Sequence, residues 1–234
     1  YDYEWSYYDN SAETFDTIGN LSAVSIDNLN AGSYIFYVKV TASALNVSDI
    51  EDIATLYLVI SKAKLENVSI INNEATFDGN PHGIAIEGLI EGDTITYTTE
   101  DGIVSEYPPT YIYAGSYKIL CEIERQNYEI ASLEATLVIK KKPLTISAIK
   151  KTIKYGEKAQ ITSSTTRGLI EGDSLNGPNF SNELTFNCAY TVGDNVGEYD
   201  ILIDGLTSEN YDITYEKGIL TVKKASLTVT ADDK

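Results

Sequence analysis

The sequence predicts an all-β chain of tandem small β-sandwiches arranged end to end as a rod. Three observations predict it. Strand formers dominate, with 18 Tyr and abundant Ile, Val and Thr, whereas Ala and Leu at helical spacing are scarce. Asn, Asp, Gly and Ser cluster between the apolar stretches as turn residues do. Short motifs return at a near-constant interval along the 234 residues, and a 43% hydrophobic content supplies two or three small cores.

The interval comes from three markers. Ala31-Gly32-Ser33-Tyr34, Ala114-Gly115-Ser116-Tyr117 and Val196-Gly197-Glu198-Tyr199 place their tyrosines 83 (117 − 34) and 82 (199 − 117) residues apart. Gly88-Leu89-Ile90-Glu91-Gly92-Asp93 recurs identically as Gly168-Leu169-Ile170-Glu171-Gly172-Asp173, 80 residues on (168 − 88). Leu58-Val59-Ile60, Leu137-Val138-Ile139 and Leu220-Thr221-Val222 each precede lysines and a fresh apolar start at Leu65, Leu144 or Leu227. The expected domains are a truncated or divergent repeat at 1–62, complete repeats at 63–142 and 143–225, and the first strand of a following repeat at 226–234. The pairs Asn127-Tyr128 and Asn210-Tyr211 belong to the two complete repeats; the first repeat carries instead a longer insertion at 44–52.

Within 63–142, alternation between turn residues predicts strands at 65–71, 74–77, 83–86, 94–99, 116–124 and 134–140. Asp78-Gly79-Asn80-Pro81, Glu91-Gly92-Asp93 and Glu100-Asp101-Gly102 supply the turns. Six short strands in such a unit suit a sandwich or small open barrel, and the sandwich is favoured; a β-grasp unit, with a short helical turn near 168–175, is the alternative. The junctions hold no Gly/Ser tract, and Lys140-Lys141-Lys142-Pro143 is short and stiffened by its proline, so neighbouring units form a semi-rigid rod on the order of 100 Å for three units.

At these markers the chain resembles the bacterial immunoglobulin-like, mucin-binding-like repeats of large cell-surface adhesins, called YGX-type and YDG-type. The repeat at 143–225 shows the YGX pattern in Leu144-Thr145-Ile146, Tyr155-Gly156, Gly168-Leu169, Gly172-Asp173-Ser174-Leu175, Val196-Gly197-Glu198-Tyr199, Asn210-Tyr211 and Gly218-Ile219-Leu220-Thr221-Val222. The repeat at 63–142 is similar to the YDG type, with Phe77-Asp78-Gly79 in place of the usual tyrosine turn, followed by Thr96-Tyr97 and the Ala114-Gly115-Ser116-Tyr117 start. The resemblance implies adhesins, stalks or accessory modules of secreted enzymes, and no catalytic residues to transfer. Gly32, Gly92, Gly115, Gly172 and Gly197 then read as turn markers, with Tyr34, Tyr117 and Tyr199 covering the end of each core.

Charge narrows the partners. Against 17 basic residues stand 35 acidic ones, a net −18, which repels nucleic acid and anionic membrane surfaces. No apolar run is long enough to insert in a membrane. The acidic excess reads as a solubilising surface; calcium, through Glu91/Asp93 or Glu171/Asp173, is the one cofactor these residues suggest, without an Asp-x-Asp-x-Asp-Gly loop to hold it. Cys121 and Cys188 fall in different repeats within alternating apolar stretches and read as free thiols in cores; so few cysteines fit a Gram-positive surface protein. The single histidine, His82, sits in a turn, and no nucleophile–base pair, zinc set or phosphate loop is present in the pattern. The chain is read as a non-enzyme.

Tyr1, Tyr3, Trp5, Tyr7 and Tyr8 are the densest aromatic cluster, and alternation puts Tyr1, Tyr3, Trp5 and Tyr7 on one face, either in a core or as a ligand surface. Asn20, Asn46, Asn67 and Asn179 occupy Asn-x-Ser sequons, which an Asn- and Ser-rich chain generates without glycosylation. The functional expectation is an extracellular, cell-wall-attached stalk that displays a separate head, its partners the neighbouring repeats. The alternatives are an adhesin whose repeats bind host glycan or extracellular protein, and an accessory module of a secreted glycoside hydrolase.

Overall fold

A computed structural model describes all residues except 11, 22, 72, 73 and 231–234. Its contacts are densest within two compact units, one made of Tyr1–Ile71, Ala85–Pro108 and Ile119–Ala135, the other of Asn72–Ile84, Pro109–Lys118 and Thr136–Lys234. This division does not fall at 62/63, 142/143 or 225/226. The 1–62 repeat lies in the first unit with the following junction, and the 143–225 repeat lies in the second with the junction that precedes it. Among the described residues every regular element is a strand, so the helical turn of the β-grasp alternative is absent there, and 168–175 forms turns instead.

In 1–62 four strands, β1 (Asp2–Asp9), β2 (Thr14–Gly19), β3 (Gly32–Ala44) and β4 (Val47–Ile60), form one sheet in the order β2-β1-β3-β4. The 44–52 stretch is the tip of the β3–β4 hairpin, turned at Leu45-Asn46 with Asn46 in the left-handed conformation its short polar side chain tolerates. β4 is exposed over nearly its whole length. The 63–142 stretch adds β5 (Ser69–Ile71), β6 (Glu74–Thr76), β7 (His82–Gly83), β8 (Ala85–Glu87), β9 (Thr94–Thr99), β10 (Val104–Ser105), β11 (Thr110–Tyr111), β12 (Gly115–Glu124) and β13 (Ala131–Lys140). In the first unit β5 pairs with β8, and β9 pairs with both β10 and the later half of β12; in the second, β7 pairs with β11, and β6 runs parallel to the end of β13. The predicted strand at 83–86 is thus two, because Gly83 and Ala85 pair in different directions around buried Ile84.

Strands between Lys142 and Lys223 form a two-sheet sandwich. Its strands are β14 (Lys142–Ala148), β15 (Lys151–Lys154), β16 (Ser164–Arg167), β17 (Thr185–Cys188), β18 (Gly197–Asp204), β19 (Tyr211–Glu216) and β20 (Gly218–Lys223). One sheet has the order β16-β14-β19, the other β15-β20-β18-β17, and β14 meets β18 and β20 across the core. Strict alternation drives this: Leu144, Ile146 and Ala148 on β14, Ile201 and Ile203 on β18, and Leu220 and Val222 on β20 point inward and are buried. Gly168 has φ +101° and faces the backbone of the first strand so closely that a Cβ would strike the Pro143 carbonyl; Gly88, φ +83°, stands in the same relation to the Asn67 carbonyl. That close approach gives a reason for glycine at the first position of the six-residue repeat motif.

The cysteines are free. Cys121 is wholly buried and its thiol is pushed up to about 11 by that burial, while Cys188 is half-buried. The chain from 224 to 230 forms no strand and is exposed. Its counterpart β14 owes its strand to β16 and β19, which come later in the chain.

The antiparallel pairs β3–β4 and β18–β20 share one register, Gly32 opposite Ile60 and Tyr34 opposite Leu58, as Gly197 is opposite Val222 and Tyr199 opposite Leu220. Burial at equivalent places nonetheless differs, Leu58 being 39% exposed and Leu220 0%. Leu220→Ala is expected to cost about 2–5 kcal/mol by leaving a cavity, and Leu58→Ala under about 1 kcal/mol; urea unfolding of the two variants measures the contrast.

Candidate functional site at the repeat junctions

In each of the three repeats one tyrosine builds the turn into a late strand, β3, β12 or β18. Tyr34 Oη donates to the Asn30 carbonyl (2.7 Å), Tyr117 to the Tyr113 carbonyl (2.9 Å) and Tyr199 to the Asn195 carbonyl (2.7 Å), always four residues back. This is a tyrosine corner, in which the hydroxyl locks the turn that feeds the strand. Gly115 leaves room for the ring, since a Cβ there would lie 3.0 Å from Tyr117 Oη, and Tyr111 stacks on Tyr117 at 3.8 Å. Gly92 and Gly172, at φ +93° and +89°, serve turn conformation alone, with open space where a Cβ would be. Gly32 and Gly197 open β3 and β18.

A tight turn leaves a backbone N–H pointing outward, and at two of these turns an asparagine of the next repeat takes it. Ala31 N donates to Asn127 Oδ1 (2.8 Å), and Ala114 N to Asn210 Oδ1 (2.9 Å). The same asparagines hold the linkers through their own carbonyls, which accept from Ala63 N (2.9 Å) and Lys142 N (2.9 Å). One residue therefore ties the preceding repeat's turn and the connecting backbone together, once in each unit, 83 residues apart (210 − 127). Asn127 Nδ2 also donates to Asn30 Oδ1 (3.0 Å), joined there by Gln126 Nε2 (3.1 Å). Buried Asn210 donates instead to Asn179 Oδ1 (2.8 Å).

The repeated six-residue motif anchors these asparagines from behind. Asp173 accepts from Asn179 Nδ2 and from Tyr211 Oη, and burial together with that carboxylate pushes the Tyr211 hydroxyl up to about 12. Asp93 receives both Nε and Nη2 of Arg125 at 2.7 Å, and Arg125 lies over the Tyr128 ring, 5.6 Å from its centre. The Arg125 guanidinium holds the Asp93 carboxyl below its ordinary value. These two aspartates, candidates for calcium in the sequence, thus spend their oxygens on protein donors, and among the described residues no group of three His, Cys, Asp or Glu is placed to hold a metal. Asn179 of the fourth sequon has its amide engaged at the same place.

The second junction adds an apolar contact. Phe77, 1% exposed, meets the Tyr211 ring edge-on at 5.4 Å, while Phe180 stacks on Tyr211 at 5.1 Å, and Gly79 passes close to Ile170. His82 is part-buried in the short strand β7 instead of standing in a turn, and its ring lies 2.8 Å from Asp78.

The aromatic cluster of the first strand sits elsewhere. Tyr3, Trp5 and Tyr7 are half-buried opposite Val40, Val38 and Phe36; Trp5 Nε1 donates to the Leu21 carbonyl (2.9 Å), and Tyr7 packs on Tyr34 and Phe36 at 5.9 and 5.7 Å. In the same sheet the hairpin tip and β4 show Leu45, Val47, Ile50, Ile53, Leu56 and Val59 to solvent.

Residues 144–221 match the family model described as the MBG domain, YGX type, a non-catalytic adhesin-type repeat, and this is the stretch that carries the YGX markers. No curated protein matches the sequence. Among solved structures a match is found to the three N-terminal domains of the highly immunogenic outer capsid protein of bacteriophage RB49, at 12% identity over 97% of this chain and 89% of that chain, with a TM-score of 0.29. Among the described residues no helix is long and apolar enough to cross a membrane.

Asn210→Ala strips partners from the Ala114 N–H and the Asn179 amide in a part-buried site and is expected to lower stability by about 1–3 kcal/mol; Asn127→Ala, on the surface, by about 0.5–1 kcal/mol. Chemical denaturation reads both. The Asp93–Arg125 pair adds a pH dependence. Its contribution is whole above the unfolded aspartate value near 3.9 and is lost as pH falls through the lower folded value, so Asp93→Asn is expected to flatten the fall in stability on acidification below about pH 4.

Proposed function

We propose that this chain is the non-catalytic repeat region of a large bacterial cell-surface or secreted protein and acts as a semi-rigid stalk for a separate functional head. The observation that carries the reading is the same asparagine node at two successive junctions, each fixing a linker and a neighbouring turn with directional bonds. A flexible tether needs no such bonds; a spacer that must keep a head away from a surface does. The match of 144–221 to a non-catalytic repeat family supports the absence of chemistry in the chain, and the net −18 suits a solvent-facing spacer. Gram-positive wall attachment and the neighbouring repeats as partners belong to this reading.

A second reading has its own support. The exposed apolar strand β4, in one sheet with Tyr3, Trp5 and Tyr7, is the kind of patch through which an adhesin meets a glycan or an extracellular protein. Small-angle scattering separates stiffness from flexibility: the stalk reading expects an extended maximum dimension that shortens and broadens in the Asn127→Ala, Asn210→Ala double variant. An unchanged, flexible profile in both proteins would count against it. Glycan and matrix-protein arrays, with and without calcium, beside Trp5→Ala and Ile53→Asp variants, test the second reading; binding abolished by those changes makes 1–62 an adhesive unit.

A further inference from the structure

The asparagine node occurs at two of the three tyrosine corners. The three tyrosine corners are alike, and in two of them the residue after the accepting carbonyl, Ala31 or Ala114, gives its N–H to an asparagine 96 residues later (127 − 31, 210 − 114). At the third corner that residue is Val196, which is 42% exposed.

The aromatic partner is equally prepared. Phe77 N donates to the Lys140 carbonyl (2.9 Å) and Tyr155 N to the Lys223 carbonyl (2.8 Å), so Tyr155 takes the place in its repeat that Phe77 takes in the one before. Phe77 is sealed against Tyr211, whereas Tyr155 is 48% exposed. Tyr155 and Val196 lie at the same end of the sandwich. β15 and β18 flank β20 on either side, with Ile153 and Gly197 both opposite Val222, and Tyr190 bridges the two loops by donating to the Glu157 carbonyl (2.9 Å) and packing on Tyr199 at 5.3 Å.

The linker matches as well. Ala63 and Lys142, whose N–H groups bind the asparagine carbonyls, stand two residues before Leu65 and Leu144; Ala225 stands two before Leu227. The stretch Leu227-Thr228-Val229-Thr230-Ala231 repeats the pattern of Leu144-Thr145-Ile146-Ser147-Ala148, which opens the preceding repeat.

We propose that Tyr155, the Val196 N–H and the Ala225 N–H form a socket for the Asn-Tyr corner of the next repeat of this same polypeptide, the one opening at Leu227. The incoming asparagine accepts from Val196 through its side-chain oxygen and from Ala225 through its carbonyl, and the incoming tyrosine stands edge-on to Tyr155. The inference deepens the stalk reading and rests on it: the coupling would extend past the junctions seen here with one fixed chemistry.

Amide exchange followed by NMR tests it on this chain and on a longer chain carried through the repeat proposed to open at Leu227. Val196 and Ala225 are expected to exchange at least about tenfold more slowly in the longer chain. Replacing the following repeat's asparagine with alanine is expected to return Val196 to fast exchange and leave Ala225 slow, because the backbone carbonyl stays; Tyr155→Ala is expected to speed both. Unchanged exchange in the longer chain overturns the proposal, as does slowing that persists at Val196 after the asparagine is removed. Concentration-dependent slowing in the present chain overturns it in favour of a second copy as the occupant. Ala31 and Ala114 in the Asn127→Ala and Asn210→Ala variants report on the stalk reading separately: if those amides stay protected, that reading fails whatever Val196 does.

Discussion

Everything at the junctions depends on a single constraint: a buried or half-buried backbone N–H must find an acceptor. The tyrosine corner satisfies the carbonyl side of each repeat's entry turn from within, yet leaves the neighbouring N–H turned outward. An asparagine suits that position because its side chain offers an acceptor and a donor at once, while its own carbonyl remains free to hold the linker. Asn127 and Asn210 use all three capacities. The bonds lie across the boundary between repeats, which explains why the compact units of the chain do not coincide with the sequence repeats.

The two nodes reach the same end by different supports. Arg125 grips Asp93 and lies over Tyr128 in one; in the other, Tyr211 bonds directly to Asp173 and is walled by Phe77 and Phe180. The aspartate of the repeated motif is common to both. It anchors the corner in both, and Asp93 also closes its own turn by accepting from Ile90 N (2.9 Å).

Much of this was legible in the sequence. Alternation located most strands of 63–142 and the all-β class, since burial on one face leaves a period-two trace. The repeat interval was legible from Tyr34, Tyr117 and Tyr199 because each makes the same local bond four residues back. The exchange between Asn127 and Ala31 was not, since a contact made across 96 residues leaves no local pattern. One signal did point that way: the Asn-Tyr pair and the Gly-Leu-Ile-Glu-Gly-Asp motif occur together in two repeats and are both missing from the first. The open β4 was also hidden, because its apolar residues read like those of β13 and β20, and exposure depends on strands and sheets that composition does not count.

The pairing of first and last strands in the 143–225 sandwich has a mechanical consequence. β14 runs parallel to β19 and β15 parallel to β20, so the entry strand of each sheet lies beside an exit strand pointing the same way. A pull on the two ends of the unit drags these neighbours past each other along their length. The hydrogen bonds between them are then loaded in shear, sharing the force together, instead of opening one after another as they would in a peeled hairpin. Rupture under such a load is governed by the unfolding barrier and not by equilibrium stability, and this strand order places its strongest resistance along the axis on which a tethered chain is stretched.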